Sequence, residues 1–416
     1  MREVYIVGVG MTRFAKHLDR SIKSLTHEAV KAALEDAGIS KDLIEAAWFS
    51  NSSWGYFSGQ HSIRGEVALR EMGIQRIPIT NVENACASAS TALNNACLAV
   101  KAAAYECVLA VGAEKMYHED RAKMFGAFFM GLDVERQDEQ MALFSGLGKD
   151  LPVPEDVMAM GGKAGQDKSV FMDVYGGMAR FHMAKYGTTQ RQLAAISAKN
   201  HFHSSMNSLA QYQKDMSVEE VLAARMVSYP LTVPMCAPIG DGAAAAIVCS
   251  GSFLKKPKDV RPVRIRASVL GSGSNRSLEE ETQDITFRLS AKAYEMAGLR
   301  PEDVDVAEVH DATAFGELHL YEALRFCPLG QGGPFAESGA TRLGGKLPVN
   351  TSGGLESRGH PIGASGLGQI HELVTQLRGE AGQRQVEGAR IALAENGGGI
   401  IGFEEAAEAI HILERA

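Results

Sequence analysis

Cys86 lies in a stretch, residues 82–91, whose composition suits a nucleophile. Its neighbours Ala85 and Ala87 are small and leave the sulfur room to face a pocket. Apolar residues at helical spacing follow as far as Lys101, which predicts that Cys86 stands at the N-terminus of a helix. We expect the helix dipole and the unpaired N–H groups there to lower the pKa of the thiol and to steady an oxyanion. A free cysteine is also often a small buried hydrophobe, so this stretch alone leaves both interpretations open.

Two histidines and a glycine triplet in the second half of the chain could form one site with Cys86. His310 directly follows a strand predicted over residues 304–309. This places it at the carboxyl edge of the sheet, where ligands bind in open α/β sheets. His360 opens a predicted helix, and Gly397–Gly399 follow a buried strand and can present bare backbone N–H groups. Any one of these features is more often structural than catalytic. One cysteine and two histidines at equivalent ends of repeated elements predict a shared site.

The elements that would position these residues occur twice. Residues 33–39 can be laid directly over residues 293–299, and Gly38 and Gly298 end the predicted helices. This duplication of alternating strands and helices predicts an α/β fold with parallel sheets covered by helices on both faces. A pseudo-twofold between the halves would bring Cys86 and the two histidines together. Strands are predicted over residues 4–10, 46–49, 77–82, 107–112, 243–248, 263–269, 304–309, 390–394 and 406–413, and helices over 26–37, from the Cys86 turn to 101, over 290–297 and from the His360 turn to 377.

Residues 114–229 differ in amino-acid composition from both duplicated halves of the chain. Thirteen of the seventeen methionines lie between Met116 and Met235, with phenylalanines and basic residues interspersed. Methionine and phenylalanine make an adaptable apolar surface, so we expect this segment to cover a bulky acyl group or to supply an interface. An ordinary helical insertion with a methionine-rich core has the same composition.

The composition limits the classes of function. Apolar residues make up 45% and charged residues 22% of the 416 residues, as in ordinary globular proteins. No apolar run approaches the ~20 residues of a membrane span and no signal pattern is visible, so we expect a cytoplasmic protein without a membrane partner. Six cysteines without a C-x-x-C pair predict neither a disulfide framework nor a zinc site. The net charge of −8 argues against a nucleic-acid partner, although a local basic patch could hold a polyanionic ligand.

Four motifs resemble the signatures of thiolases. They are Asn-Ala-Cys-Ala-Ser around Cys86, Val-His-Asp-Ala around His310, Gly-His-Pro-Ile-Gly-Ala-Ser-Gly around His360 and the terminal glycine triplet. The resemblance covers essentially the whole chain and is greatest for the sterol-carrier-protein-2 type, and within it for the thiolases that cleave 2-benzoylsuccinyl-CoA in anaerobic toluene degradation. It implies duplicated βαβαβαββ halves stacked in five layers (αβαβα), with a helical loop domain inserted in the first half. The expected boundaries are residues 1–113 plus 230–255 for the N-terminal half, 114–229 for the loop domain and 256–416 for the C-terminal half.

The resemblance also implies a role for each motif. Cys86 would attack the 3-keto carbon of a 3-oxoacyl-CoA and carry the acyl group, and His360 would take its proton. His310 would donate to the thioester oxygen, where enolate charge grows as the C–C bond breaks. The backbone N–H groups of Cys86 and of Gly397 or Gly398 would hold the other oxyanion. Coenzyme A would be the co-substrate, with no permanently bound cofactor and no metal.

The chain departs from the family at the second acid/base cysteine. The two positions where thiolases carry it resemble Glu395 and Ala312 here. Glu395 could protonate the departing enolate, as could water or the substrate, or it could be a solvated loop carboxylate. Losing that cysteine suggests a 3-ketone activated by an aryl ring or bearing a carboxylate near the broken bond. 2-Benzoylsuccinyl-CoA has both features and would give benzoyl-CoA and succinyl-CoA, with Arg358 either the partner of its carboxylate or an exposed loop charge.

Other functions and a partner subunit are also open to the sequence. One alternative is a thiolase for acetoacetyl-CoA or another 3-oxoacyl-CoA, and a second is a thiolase-like aldolase acting on a steroid side-chain CoA ester, although such aldolases lack the nucleophilic cysteine. A ketoacyl-synthase-like enzyme would need Asn in place of His360. The intact Cys86, His310 and His360 argue against a non-catalytic scaffold subunit. The resemblance further implies a homodimer and a small OB-fold, zinc-ribbon partner subunit docked on the apolar insertion.

Overall fold

The computed structural model describes residues 2–147, 151, 153, 155–158, 160–255 and 260–416. The strands are β1 Val4–Met11, β2 Ala46–Ser50, β3 Ile79–Val82, β4 Cys107–Glu114, β5 Met226–Ser228, β6 Leu231–Thr232, β7 Gly242–Ser250, β8 Val263–Ser272, β9 Val306–Glu308, β10 Ile391–Ile401 and β11 Glu404–Arg415. The helices are α1 Ile22–Ala37, α2 Trp54–Ser58, α3 Arg64–Leu69, α4 Ser88–Lys101, α5 Arg121–Gly126, α6 Gln137–Ser145, α7 Glu155–Met158, α8 Val170–Tyr186, α9 Gln190–Ser205, α10 Val218–Ala223, α11 Ile285–Ala297, α12 Ala314–Ala323, α13 Gly332–Glu337, α14 Gly354–Arg358 and α15 Ser365–Arg378.

Nine of these strands form a mixed sheet in the order β3-β2-β4-β7-β1-β8-β11-β10-β9. Its two halves meet where Tyr5 and Ile6 of β1 pair with Arg264 and Val263 of β8. The prediction of parallel sheets holds for β3-β2-β4 and for β9-β10 and is wrong for β7, β1, β11 and β8, which pair antiparallel. A two-residue turn joins β10 to β11, and so short a connection allows only antiparallel pairing.

The predicted duplication is visible in matched local geometry. Gly38 and Gly298 end α1 and α11 in the left-handed conformation, with φ of 63° and 66°. The next residues, Ile39 and Leu299, donate backbone hydrogen bonds back into the last turn of each helix. α4 and α15 each have 14 residues, and a 3₁₀ turn precedes each of them, Ala85–Ala87 and Ile362–Ala364. Both glycines were predicted as helix ends, and both predictions are confirmed.

Three apolar cores separate the layers of the molecule. α1 packs on the outer face of the first half-sheet, and α11 and α12 pack on the outer face of the second. α4 and α15 fill the space between the half-sheets, where Leu93, Val100, Leu367 and Leu373 are fully buried. The five-layer αβαβα arrangement is therefore confirmed.

The chain between β4 and β7 forms α5–α10 and the hairpin β5–β6. Its helices α8 and α9 share a core with α12, so this insertion rests on the second half as well as leaving from the first. The boundary expected between residues 255 and 256 borders residues 256–259, which lie outside the described residues, as do 148–150, 152, 154 and 159 of the insertion. Among the helices of the described ranges, none has the length and apolar character needed to cross a membrane.

Candidate active site

Cys86 lies in a tight turn between β3 and α4. Ala85 adopts φ +46°, a left-handed conformation that costs a non-glycine residue energy, and residues 85–87 form a 3₁₀ turn. Ser88 Oγ accepts a hydrogen bond from the Asn84 backbone N–H at 2.9 Å and donates one to the Ala85 carbonyl at 2.6 Å. These bonds hold the turn in place and leave the Cys86 side chain at the floor of a pocket.

The glycine triplet lies against this turn. A Cβ on Gly398 would stand 2.4 Å from the Ala87 nitrogen and 2.8 Å from the Cys86 nitrogen, so only glycine fits there. The expectation that the triplet follows a strand is wrong, because Gly397 and Gly398 lie within β10 and pair with β11. The absence of side chains lets β10 approach the cysteine turn.

The imidazole of His360 contacts the thiol of Cys86. Its Nε2 lies 3.2 Å from Cys86 Sγ, and its Nδ1 lies 2.7 Å from Ser365 Oγ. Ser365 donates its hydroxyl hydrogen to the Pro361 carbonyl at 3.0 Å, so its oxygen must accept from Nδ1–H. This arrangement leaves the Nε2 lone pair of His360 free to accept the thiol hydrogen.

His310 meets His360 edge to face, with the ring centroids 5.1 Å apart. Asn396 Nδ2 lies 2.8 Å from His310 Nδ1, while Asn396 Oδ1 accepts from Ser90 Oγ at 3.0 Å. The amide therefore donates to Nδ1, and His310 presents Nε2–H as a donor. Cys86 Sγ and one ring nitrogen of each histidine all lie within 4.8 Å of one another.

Burial keeps all three groups uncharged. Burial, with contributions from the carboxyl groups of Glu114 and Glu83, raises the pKa of Cys86 to about 12. Burial lowers the pKa of His310 to about 4 and, with His310 and Arg358 nearby, lowers that of His360 far below its usual value. The prediction that the helix N-terminus lowers the thiol pKa is therefore wrong, because the cost of desolvating a thiolate exceeds the favourable dipole.

Two charged residues predicted for the site lie elsewhere. Glu395 is 1% exposed, and its carboxylate accepts a hydrogen bond from the His310 backbone N–H at 2.9 Å, so it is not a solvated loop carboxylate. Arg358 is fully buried and paired with Glu308 at 3.1 Å, and its guanidinium lies over the ring of Phe14. Both suggestions for Arg358, a substrate contact or an exposed loop charge, are wrong, because its ion-pair partner is inside the protein.

A cavity of about 440 Å³ opens above Cys86, within the size range of small-molecule sites. Cys86, His310, His360 and Gly397–Gly399 line its floor, and Ala312 lies beside them. Its aromatic and methionine walls are Tyr117, Met124, Phe125, Phe128, Phe171, Met172, Tyr175 and Tyr212, all from the insertion. Lys16, Arg121, Lys168 and Arg225 also line it.

The sequence analysis missed Glu405 as a site residue. Glu405 begins β11 after Glu404, lines the pocket and is half-buried. Burial raises the pKa of its carboxyl to about 7, with a contribution from Asp284. Adjacent acidic residues after a short turn usually indicate a solvated strand end, so the sequence carried no signal for it.

Two family models match the chain. Thiolase, N-terminal domain, matches residues 4–221, and Thiolase C-terminal domain-like matches residues 273–415.

Relatives that match nearly the whole of this chain include three proteins of different names. The acetyl-CoA acetyltransferase of Methanothermobacter thermautotrophicus is 38% identical over 419 residues and covers all of both chains. Sterol carrier protein 2 of Bos taurus is 39% identical over 433 residues, covering 99% of this chain and 75% of the relative. The benzoylsuccinyl-CoA thiolase subunit BbsB of Thauera aromatica is 33% identical over 403 residues, covering 96% and 95%.

Two solved structures share the fold. The Ltp2-ChsH2(DUF35) aldolase superposes with a TM-score of 0.75 at 23% identity, covering 99% of this chain and 98% of that one. Human mitochondrial 3-ketoacyl-CoA thiolase in complex with CoA superposes with a TM-score of 0.64 at 17% identity, covering 100% and 98%.

Proposed function

The chain belongs to the thiolase family and is an acyltransferase, and on that basis we propose that it cleaves a 3-oxoacyl-CoA with CoA through an acyl-enzyme on Cys86. The observation that carries the proposal is the 3.2 Å contact between Cys86 Sγ and His360 Nε2, whose other nitrogen is fixed by Ser365. A nucleophile, a base and a group that orients the base are the parts that covalent catalysis needs.

The proposed reaction begins with a neutral thiol. Because burial raises the pKa of Cys86 to about 12, the thiol gives its proton to His360 Nε2 as the sulfur attacks the 3-keto carbon. The alkoxide then collapses and breaks the bond between C2 and C3, which leaves a thioester on Cys86 and the enolate of the shorter acyl-CoA. The Nε2–H of His310 stabilises the enolate oxygen, and the backbone N–H groups of Cys86 and of Gly397 or Gly398 stabilise the alkoxide. The thiol of CoA then attacks the Cys86 thioester, and the departing thiolate recovers its proton from His360. Across the whole turnover, the proton of the CoA thiol replaces the one that C2 of the enolate takes up, which completes the two acyl-CoA products.

The pocket supports a bulky, aryl-bearing acyl group. Phe128 and Phe171 meet at 74° with centroids 6.4 Å apart, and two methionines complete an apolar wall that a phenyl ring could contact. We infer that residues 114–229 cover the substrate in this way. 2-Benzoylsuccinyl-CoA, cleaved to benzoyl-CoA and succinyl-CoA, is the proposed substrate, and the 33% identity to BbsB supports it. Arg358 has no part in this proposal.

A panel of CoA esters tests the substrate. Thiolysis of 2-benzoylsuccinyl-CoA, acetoacetyl-CoA and straight-chain 3-oxoacyl-CoAs is measured by loss of the 3-oxoacyl-CoA and by chromatography of the products. We expect kcat/KM to favour 2-benzoylsuccinyl-CoA. A preference for the straight chains would refute the aromatic substrate and leave the thiolase proposal intact. Absence of both thiolysis and an acyl adduct on Cys86 across the panel would refute the thiolase proposal.

Acetoacetyl-CoA is the second candidate substrate. The 38% identity to an acetyl-CoA acetyltransferase over the whole of both chains favours it. An aldolase on this fold is less well supported, because the chain keeps Cys86 and its base. The Ltp2-ChsH2(DUF35) aldolase shares 23% identity, which bears on the fold alone.

We also propose a homodimer that works with a small OB-fold, zinc-ribbon subunit. Support comes from BbsB, a relative whose name identifies it as a subunit. Exposed apolar side chains on and beside the insertion, including Met130, Val134 and Ile401, offer docking surface. Expression of the chain alone and together with a candidate OB-fold, zinc-ribbon protein of the same organism tests this. Full solubility and activity of the chain alone would contradict the need for a partner.

A further inference from the structure

The enolate formed by C–C cleavage needs a proton, and the two positions where thiolases carry a second cysteine supply none here. Ala312 lines the pocket but bears only a methyl group. Glu395 is 1% exposed, does not line the pocket and accepts a hydrogen bond from the His310 backbone N–H. Glu395 is thus a positioning residue for His310 and does not reach the reacting atoms.

Glu405 is a carboxyl that does face the cavity. It lines the same pocket as Cys86 and His310, and in the β10–β11 hairpin it pairs with Ile400, which follows the glycine triplet. A Cβ placed on Gly397 would lie 2.6 Å from Glu405 Cγ and 3.3 Å from the carboxyl carbon. Because Gly397 has no side chain, the Glu405 carboxyl lies beside the triplet that packs on the Cys86 turn.

The neighbouring residue Glu404 provides a comparison, because the hydrogen bonds of its carboxylate are structural. Glu404 is 2% exposed and accepts hydrogen bonds from Ser274 Oγ at 2.7 Å, from the Ile285 backbone N–H at 2.7 Å and from Arg276 Nε at 3.3 Å. Within the described part of the chain, no other residue donates a hydrogen bond to the Glu405 carboxyl, whose partner is its own backbone N–H. Glu405 is therefore free to exchange a proton with a ligand.

The ionisation of Glu405 suits such an exchange. Burial, reinforced by Asp284, raises the pKa of its carboxyl to about 7, so acid and carboxylate are both populated near neutral pH. The phenol of Tyr175 also lines the pocket, but burial, with Glu405 and Cys86 nearby, raises its pKa well above 10. Of Glu405 and Tyr175, it is the carboxyl of Glu405 whose pKa suits a reaction step that both donates and accepts a proton near neutral pH.

We propose that Glu405 is the acid/base that replaces the missing cysteine. This inference rests on the proposed thiolase function. When the C2–C3 bond breaks, the Glu405 O–H proton passes to C2, the enolate electron pair forms the new C–H bond and Glu405 becomes a carboxylate. The incoming CoA thiol gives its proton to that carboxylate as its sulfur attacks the Cys86 thioester. The acid form of Glu405 is thus restored in each turnover.

Exchange of the α-proton of succinyl-CoA or acetyl-CoA with D₂O isolates this step. It is the reverse of enolate protonation and requires no acyl transfer to Cys86. Wild type and Glu405→Gln are incubated with each thioester in D₂O, and deuterium gain is followed by mass spectrometry. Glu387→Gln, a change at an exposed loop residue, is the matched control. Iodoacetamide labelling of Cys86 reports in each variant whether the rest of the site is intact.

We expect Glu405→Gln to lose exchange by about 10²-fold or more while its Cys86 labelling stays within about twofold of wild type. Glu387→Gln should keep most of the exchange. Retention of exchange in Glu405→Gln would overturn the proposal. So would a wild-type enzyme that acylates Cys86 from a 3-oxoacyl-CoA yet exchanges no α-proton, since the thiolase function would then stand without this acid. Failure of wild type to acylate Cys86 at all would instead count against the proposed function.

Discussion

Asn396 Nδ2 lies 2.8 Å from His310 Nδ1, so an amide on β10 fixes the tautomer of a histidine that follows β9. Ser90 at the start of α4 fixes the amide in turn through Asn396 Oδ1. The first half of the duplication thereby determines which nitrogen of His310 bears the hydrogen that faces the pocket. The hydrogen bonds from Ser90 to Asn396 and from Asn396 to His310 therefore link the two halves of the protein.

Asn396→Asp should separate the two histidine functions. The carboxylate would accept from His310 Nδ1–H, so Nε2 would face the pocket as an acceptor and no longer stabilise the enolate oxygen. We expect C–C cleavage to slow by about 10²-fold, as when one oxyanion donor is removed, with iodoacetamide labelling of Cys86 nearly unchanged. His310→Ala should behave alike. Single-turnover thiolysis measures the loss, and equal cleavage rates in Asn396→Asp and wild type would contradict the assigned tautomer.

His360→Gln should fail earlier, when the thiolate forms. With the pKa of Cys86 near 12, the thiol depends on a base at neutral pH. We expect labelling of Cys86 by iodoacetamide at pH 7 to fall by about 10²-fold in His360→Gln and to remain near wild type in His310→Ala. Timed mass spectrometry of the Cys86 peptide measures both rates. Equal labelling of His360→Gln and wild type would mean that Cys86 reacts without this base.

Cys86→Ala tests covalent catalysis directly. Mixing wild type with a 3-oxoacyl-CoA should give an acyl adduct on the Cys86 peptide, and the variant should give none. Turnover should fall by about 10⁴-fold or more, because one missing member of a nucleophile–base pair removes most of the benefit of the pair. Turnover of Cys86→Ala at the wild-type rate would refute the acyl-enzyme.

The sequence predicted the C-terminal ends of the repeated helices α1 and α11 well and their N-terminal ends less well. Gly38 and Gly298 revealed where α1 and α11 end, because left-handed helix ends favour glycine. Both helices begin about one turn before the predicted residue. Their caps, Ser21 and Asp284, precede apolar patterns that are too short to separate from loop.

The site residues that lie in sequence motifs could be predicted from the sequence. Those whose position depends on contacts between distant parts of the chain could not. Cys86, His310 and His360 are brought together by the duplication that the sequence displays. The burial of Arg358 depends on Glu308, 50 positions earlier, and the exposure of Glu405 to the pocket depends on the register of the β10–β11 hairpin. Neither relation leaves a local pattern in the sequence.

Gly398→Ala should displace the cysteine turn. The added methyl group would lie 2.4 Å from the Ala87 nitrogen and from the Asn84 carbonyl oxygen, so backbone must move. We expect activity to fall by about 10²-fold or more, since small displacements of reacting groups are costly. Gly251→Ala is the matched control, because its methyl group would meet nothing nearer than 3.5 Å. Steady-state thiolysis and thermal unfolding are measured for both, and normal activity in Gly398→Ala would contradict the close approach.

The pair His319–Asp284 should make stability depend on pH. Burial alone would lower the pKa of His319, but Asp284 at 3.6 Å, with Glu405 and Glu322 farther away, raises it to about 9. A histidine whose pKa rises on folding stabilises the protein fully below its unfolded pKa of about 6.5 and loses that contribution as pH rises through 9. Wild type should therefore unfold at a higher temperature than His319→Gln, by a few degrees at pH 6, and the difference should shrink towards pH 9.5.

A double-mutant cycle identifies the cause of that dependence. In the Asp284→Asn background, the pH-dependent part of the loss caused by His319→Gln should shrink, because the carboxylate that raises the pKa of His319 most is gone. Asp284 itself is held at a pKa of about 2, where burial opposes His319 and Arg276, so its own contribution is lost only as pH falls from about 4 towards 2. Scanning calorimetry between pH 6 and 9.5 therefore avoids the titration of Asp284, and the carboxyl of Glu405, whose pKa is about 7, titrates in both backgrounds. A His319→Gln difference that grows with rising pH would reverse the sign and exclude the ion pair as its source.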